Sequence, residues 1–161
     1  MSNIKNKITL NLILIFSLFA ILAAYIIQYV LGHQPCNLCL IERMPYIFSI
    51  IIISTCLLSQ KFEKITLIIL SLTFFMAALL SFYHYGIEQG FIKESLVCDL
   101  NNLNSELSKE ALLNQLQNMP ISCKDVTFKI LGLSLATINT IISFLLSVIM
   151  FKKFYNYEKN K

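Results

Sequence analysis

Pro35-Cys36-Asn37-Leu38-Cys39-Leu40-Ile41-Glu42-Arg43 is the stretch on which the reading of this chain turns. It sets two thiols in a Cys-x-x-Cys and an acid–base pair one helical turn later. What flanks it decides the fold. Upstream, no charged residue occurs from Ile8 to Leu31; downstream, an apolar run continues from Leu38 to Ser59, with Glu42 and Arg43 at its entry. At about 1.5 Å of helix per residue, either run can cross a hydrocarbon core of about 30 Å. The thiols therefore stand where two membrane spans meet.

Composition agrees. Of 161 residues, 57% are hydrophobic and 14% charged, against about 25% charged in an ordinary soluble domain. Mean hydropathy is +0.69. This is the composition of a membrane protein, and it argues against a disordered chain or a nucleic-acid-binding one.

Working outward, Gly32-His33-Gln34-Pro35 breaks the first apolar run, because proline cannot continue a helix from the preceding turn. It can equally open the next helix, where its missing N–H costs nothing. Gln60-Lys61-Phe62-Glu63-Lys64 makes a short polar turn. A third run covers about 65–87 and a fourth about 126–151, separated by the only long polar stretch, 88–125. The expected architecture is an all-α membrane protein: a single domain over 1–161, built as a four-helix bundle with spans at about 8–31, 38–59, 65–87 and 126–151. Within the loop, Ser105 to Leu116 has the spacing of a short amphipathic helix, suited to lie on the membrane surface or to pack on its neighbours. The basic start and Ala23-Ala24 also outline a cleaved signal peptide, but the apolar run continues past the alanines.

Charge orients the bundle. Lys5, Lys7, Lys61, Lys64, Lys152, Lys153, Lys159 and Lys161 fall on one side of an even number of crossings. On the other side Arg43, Lys93, Lys109, Lys124 and Lys129 are offset by seven carboxylates, from Glu42 to Asp125. The positive-inside rule makes the first side cytoplasmic, with both termini. Cys36, Cys39, Cys98 and Cys123 then face the opposite, oxidising compartment, where disulfides persist.

Closely spaced thiols of this kind switch between dithiol and disulfide. A cation nearby lowers a thiol's pKa, and Arg43 follows Cys39 by four residues, on the same helical face. A zinc half-site and a structural disulfide are the competing readings; a structural zinc site needs four ligands. Cys98 and Cys123 bracket the polar loop. A bond between them would close about 25 residues, worth about 3 kcal/mol in the chain-entropy model. It would serve as a staple or as a mobile disulfide within reach of a soluble partner. His84, near the end of the third span, is either a polar anchor or a donor to a bound carbonyl oxygen, since an ionisable residue at membrane depth is a functional candidate. Cys56, inside the second span, reads as apolar filler.

Taken together, these residues resemble one family. Four spans, Pro35-Cys36-Asn37-Leu38-Cys39 with Glu42-Arg43, Tyr83-His84, Cys98-Asp99 opening the loop, Cys123 closing it, and Ile130-Leu131-Gly132-Leu133 look like the disulfide bond formation protein B (DsbB) family. Phe128 stands where the family often has tryptophan, and the loop is slightly short. The resemblance implies a quinone-linked thiol oxidase of the bacterial inner membrane. It implies that Cys98 meets a periplasmic thioredoxin-fold dithiol oxidase (DsbA-like) and that Cys123 exchanges with Cys36. Cys39 would stand beside a quinone, ubiquinone or menaquinone, held by Arg43 with His84 as helper. A monomer in contact with membrane lipid is expected.

Two other classes compete. A four-span scaffold with a disulfide-braced loop has no reason to carry a Cys-x-x-Cys at the start of the second span. A metal transporter would need thiol or carboxylate ligands within the spans, where only Cys56 clearly lies.

Overall fold

The computed structural model describes residues 4–59, 62–93, 123–124, 129–130 and 132–159. Within them the chain forms α1 (Ile4–Tyr29), α2 (Asn37–Ile41), α3 (Met44–Ser59), α4 (Glu63–Glu88), a hairpin of β1 (Lys129–Ile130) and β2 (Leu133–Ser134), and α5 (Leu135–Lys159). Four segments, Asn6–Tyr29, Asn37–Ser59, Glu63–Glu88 and Leu135–Lys159, are long and apolar enough to cross a membrane. The architecture is an all-α four-helix membrane bundle with one small hairpin. Cys98 and the expected amphipathic segment at 105–116 lie outside the described residues.

Local chemistry sets the helix ends. Gly32 takes φ +72°, a conformation open to a residue without Cβ. The chain thereby folds back so that the His33 N–H reaches the Ile27 carbonyl at 3.2 Å, which closes α1.

The second span is not one helix but two. The Arg43 N–H bonds three residues back, to Leu40 O at 3.2 Å. Pro45 has no N–H to offer the Ile41 carbonyl. The ladder therefore lapses at Glu42–Arg43 and resumes with α3.

The fourth span is corrected in its bounds. Its apolar run suggests 126–151, but the helix occupies Leu135–Lys159. Lys129 pairs with Ser134 and Ile130 with Leu133 in an antiparallel hairpin, turned by Gly132 at φ +84°. Ser134 then caps α5: its Oγ accepts the Thr137 N–H at 3.2 Å. At the far end the helix runs on through Lys152 and Lys153, whose stems can lie along apolar surface while the charge stays wet. There Lys64 of α4 meets Glu158 and sits 5.8 Å from the Phe154 ring centre.

Helices in lipid gain little from burying leucine, since the surroundings are equally apolar; close approach and interhelical hydrogen bonds decide the packing. Small polar residues do this here. Ser71 Oγ donates to the Ser147 carbonyl and Ser147 Oγ to the Ser71 carbonyl, at 3.2 and 2.9 Å. Ser17 and Ser49 share a hydrogen bond of 3.0 Å between α1 and α3. Among the described elements α4 packs most extensively on α5, while α1 rests chiefly on α3. Leu10, Ile13, Tyr46, Ile53, Cys56, Leu67, Leu70, Phe74 and Met150 form the main core. A smaller cluster of Cys36, Leu38, Ile87 and Cys123 closes the other end. Leu12, Ile15, Phe19 and Leu22 of α1 are exposed, as a lipid-facing surface requires.

Phe74 is fully buried and meets Tyr46 edge-on at 5.9 Å, whereas its neighbour Phe75 is 43% exposed. Phe74→Ala is expected to destabilise the bundle by about 3 kcal/mol or more, and Phe75→Ala by less than about 1 kcal/mol. Thermal unfolding of the two variants in the same detergent checks this.

Candidate functional site

Cys36 is the N-cap of α2. Its backbone is extended, and its Sγ accepts the Cys39 N–H at 3.2 Å. One turn of helix then brings Cys39 Sγ to 2.7 Å from Cys36 Sγ. Both are free thiols, so closing them into a disulfide needs only a small side-chain movement. Cys36 is buried and Cys39 half-buried.

Glu42 lies one turn after the buried Leu38, on the inward face, and is 8% exposed. There it meets His84 of α4, with Glu42 Oε1 and His84 Nδ1 2.8 Å apart. A carboxylate only accepts, so this contact places the ring proton on Nδ1. His84 Nε2 is then left facing Cys36 Sγ at 3.6 Å. The arrangement is thiol, imidazole and carboxylate in line, in which the third group orients the second and the second takes a proton from the first.

Further groups hold Glu42. Its Oε2 accepts from Asn139 Nδ2 of α5 at 2.9 Å. Asn139 Nδ2 also reaches Ser81 Oγ at 2.7 Å, and Asn139 Oδ1 accepts the Tyr46 hydroxyl proton. One connected set of polar groups thus ties α2, α3, α4 and α5 together at the level of the thiols.

The electrostatic result is clearest at Cys36, outside the spans. Its pKa is pushed down to about 5 from the ordinary 9.0. The hydrogen bond from the Cys39 thiol contributes most. Burial opposes it, and the hydrogen bond and charge of His84 help overcome burial. Near neutral pH the reduced site therefore carries a Cys36 thiolate.

Arg43 takes a different position. Its Nη1 donates to Gln28 Oε1 of α1 at 2.7 Å, and the guanidinium lies 5.4 Å from the Tyr25 ring centre, a cation–π contact. Arg43, Cys36, Cys39, Glu42 and His84 all line one cavity of about 380 Å³. Phe16, Phe19, Ile27 and three alanines of α1 (Ala20, Ala23, Ala24) form one apolar wall, and Ile138 and Ile142 of α5 form another. Ligand pockets commonly hold about 300–1,000 Å³ and combine apolar walls with a few polar groups.

Cys123 also lines this cavity, is buried and is disulfide-bonded. Cys98 lies outside the described residues. Cys56 is a free thiol in the main core and does not line the cavity.

The sulfur atoms of Cys36 and Cys39 and a ring nitrogen of His84 lie within 4.8 Å of one another. Among the described residues three donors meet here, where a closed structural zinc site uses four, and the imidazole is already engaged on both nitrogens. The set reads as thiol chemistry.

Glu42 and Asn139 are the site residues that spacing missed. The sequence shows Glu42 only as the neighbour of Arg43; that it faces His84 depends on how α4 packs against the second span. Asn139 gives one sequence signal, an amide inside an apolar run, which at membrane depth calls for a partner.

With this geometry in view, comparison with known proteins is decisive. The family described as "Disulfide bond formation protein DsbB" matches residues 6–152. The chain belongs to the DsbB family. The matched range takes in the thiol pair, Glu42, Arg43, His84, Cys123 and Asn139. This DsbB-family chain is also 34% identical over 144 residues to the uncharacterized protein RP370 of Rickettsia prowazekii (strain Madrid E), covering 88% of this chain and 84% of that protein. No solved structure matches it. DsbB membership and the four apolar helices make it a multi-pass membrane protein of disulfide bond formation, with disulfide-forming oxidoreductase activity in general terms.

The low Cys36 pKa has a direct consequence. In the fully reduced protein, alkylation of Cys36 is expected to rise through a midpoint near pH 5. His84→Gln should move that midpoint upward, because one of the groups favouring the thiolate is removed. Mass spectrometry of alkylated peptides across pH measures both. The sign for stability follows: a depressed pKa stabilises the folded dithiol form above the unfolded value near 9, and this is lost as pH falls through about 5.

Proposed function

We propose that the protein reoxidises a thioredoxin-fold dithiol oxidase on the periplasmic side of a bacterial inner membrane and delivers the electrons to a membrane quinone, ubiquinone or menaquinone. The observation that carries this reading is the free Cys36–Cys39 pair at the polar end of an apolar-walled cavity. Orientation with both termini cytoplasmic rests on the lysine distribution.

The cavity suits a quinone head group on its own terms. Ala20, Ala23 and Ala24 leave room that larger side chains would fill, and the walls are apolar. Arg43 supplies a cation held in place by Gln28 and Tyr25. Arg43 would hold a carbonyl oxygen and the α1 and α5 walls the ring, with Cys39 the thiol on that side. A bound quinone supplies a two-electron, two-proton acceptor.

The rest is done by the chain's own groups. The partner's thiolate attacks Cys98 and displaces Cys123, breaking one disulfide as a mixed one forms. The released Cys123 thiolate attacks Cys36 in the Cys36–Cys39 disulfide, and Cys39 leaves as a thiolate. The partner's second thiol then expels Cys98, which resolves the Cys123–Cys36 bond. The sum is one partner dithiol oxidised and the Cys36–Cys39 pair reduced. Support comes from the bonded state of Cys123 beside the same cavity and from the free state of Cys36, Cys39 and Cys56. His84, held by Glu42, stabilises the Cys36 thiolate and so makes Cys36 a good leaving group. Net flow needs only an acceptor couple more oxidising than the partner couple, since ΔG = −nFΔE.

The test is direct. Protein in detergent, quinone and a reduced thioredoxin-fold partner are mixed, and quinone absorbance is followed. Quinone reduction that Cys39→Ser abolishes is the expected result. Full turnover in Cys39→Ser sinks the relay, and no reduction by the wild-type protein favours a scaffold. Arg43→Ala is expected to raise the quinone KM about tenfold, the scale of one lost hydrogen bond from a charged group.

A further inference from the structure

Glu88 has no part in the relay above, yet its placement is costly. It is the last residue of α4, at the helix end whose dipole disfavours a negative charge. Its side chain is only 6% exposed. Its Oε2 finds no hydrogen-bond partner among the described residues, and an ionised oxygen buried in that way is expensive. Its Oε1 lies 3.8 Å from His84 Nε2, the nitrogen that faces Cys36 Sγ at 3.6 Å. A proton on the carboxyl removes the first cost and lowers the second, since a neutral buried oxygen is cheaper than an ionised one.

We infer that Glu88 is the proton store of the thiol pair: when exchange leaves Cys36 as a thiolate facing His84 Nε2, Glu88 takes up and holds a proton beside that nitrogen, and it gives the proton up when the pair is oxidised. The placement explains why one imidazole nitrogen stands between a thiol and a buried carboxyl. Glu88 interacts with His84 on its own helix, with Cys36 just ahead of the second span, with Glu42 in it, and with Ser134 of the hairpin, which hydrogen-bonds its carboxyl; Cys39 and Arg43 line the same cavity. Glu42 cannot take this part, because both its oxygens already accept hydrogen bonds.

The balance closes. A Cys36 thiolate, a Cys39 thiol and a protonated Glu88 become one disulfide and a Glu88 carboxylate. Two electrons and two protons are released, which a quinone-class acceptor takes up. Glu88 acts through His84 and is a positioning and proton-holding residue. The backbone at Glu88 leads into the exposed Gln89 and Gly90, so the store lies next to water at that end of the bundle.

This inference rests on the thiol pair being the redox centre, and its main test needs neither quinone nor partner. Infrared difference spectra are recorded on quinone-free protein between the disulfide and dithiol states. A carboxylic-acid C=O band is expected to appear in the dithiol state, to vanish in Glu88→Gln and to shift in Glu88→Asp. The same band in Glu88→Gln overturns the inference. Should Glu88→Gln fail to fold, an unshifted band in Glu88→Asp overturns it. In quinone turnover, Glu88→Gln should lower kcat about 10²-fold, the lower end for a positioned acid–base group. The partner KM should stay unchanged, and Glu88→Asp should restore most of the rate. A wild-type kcat and pH profile in Glu88→Gln also overturns it. A protein that shows the Glu88 band but reduces no quinone supports the proton store and refutes the quinone reading.

Discussion

The structure depends on one buried contact, Glu42 with His84. Neither group is tolerable alone in a bundle surrounded by lipid, where an unpaired charge has no water to turn to. Paired, they fix the relation of the second span to α4. Glu42 points inward one turn after the buried Leu38, and the helix lapses just beyond it, at Arg43. Pro45 makes the lapse inexpensive, because the hydrogen bond lost there is one that proline could not have made. The short α2 that results packs Cys36, Leu38 and Cys39 against Ile87 of α4. A structural necessity of the buried pair thus also places the thiols beside an imidazole.

The two ends of the bundle are built on different terms. One end is packed apolar volume, centred on Phe74 and Tyr46, with α4 and α5 locked by reciprocal serine–carbonyl bonds. The other is a polar set organised by Asn139, which satisfies Glu42, Ser81 and Tyr46 at once. Such a set gains nothing if half made, because each member left unpaired is costly. The same rigidity holds His84 against Cys36, so the thiol's acidity follows from the fold. Tyr46 belongs to both ends: its ring packs on Phe74 and its hydroxyl reaches Asn139.

Much of this was legible in the sequence, and the failures have physical causes. Spans one and three are set by uninterrupted apolar runs, a signal that needs no tertiary knowledge, and they agree closely with Asn6–Tyr29 and Glu63–Glu88. The fourth span misled because hydropathy cannot tell a strand from a helix in a short apolar run. Leu133 is as apolar as Leu135, yet Gly132 puts it in a hairpin. At the site, Cys36 and Cys39 were visible from spacing, and Arg43 and His84 from charge at membrane depth. Glu42, Asn139 and Glu88 act through partners 42, 58 and 4 positions away. For the two long-range cases no local pattern identifies the partner. For Glu88 the one-turn spacing from His84 was visible, but its burial was not.

The α1 helix has a further consequence. It rests chiefly on α3, yet its alanines and phenylalanines form one side of the cavity whose other side belongs to α5. A chamber walled by two helices that share little direct contact has a seam facing the lipid. On the proposed function, a quinone dissolved in the bilayer would reach the thiols sideways through such a seam without entering water. The proposed soluble partner would instead come from water. On that reading the two reactants approach from different sides, so neither has to leave before the other arrives.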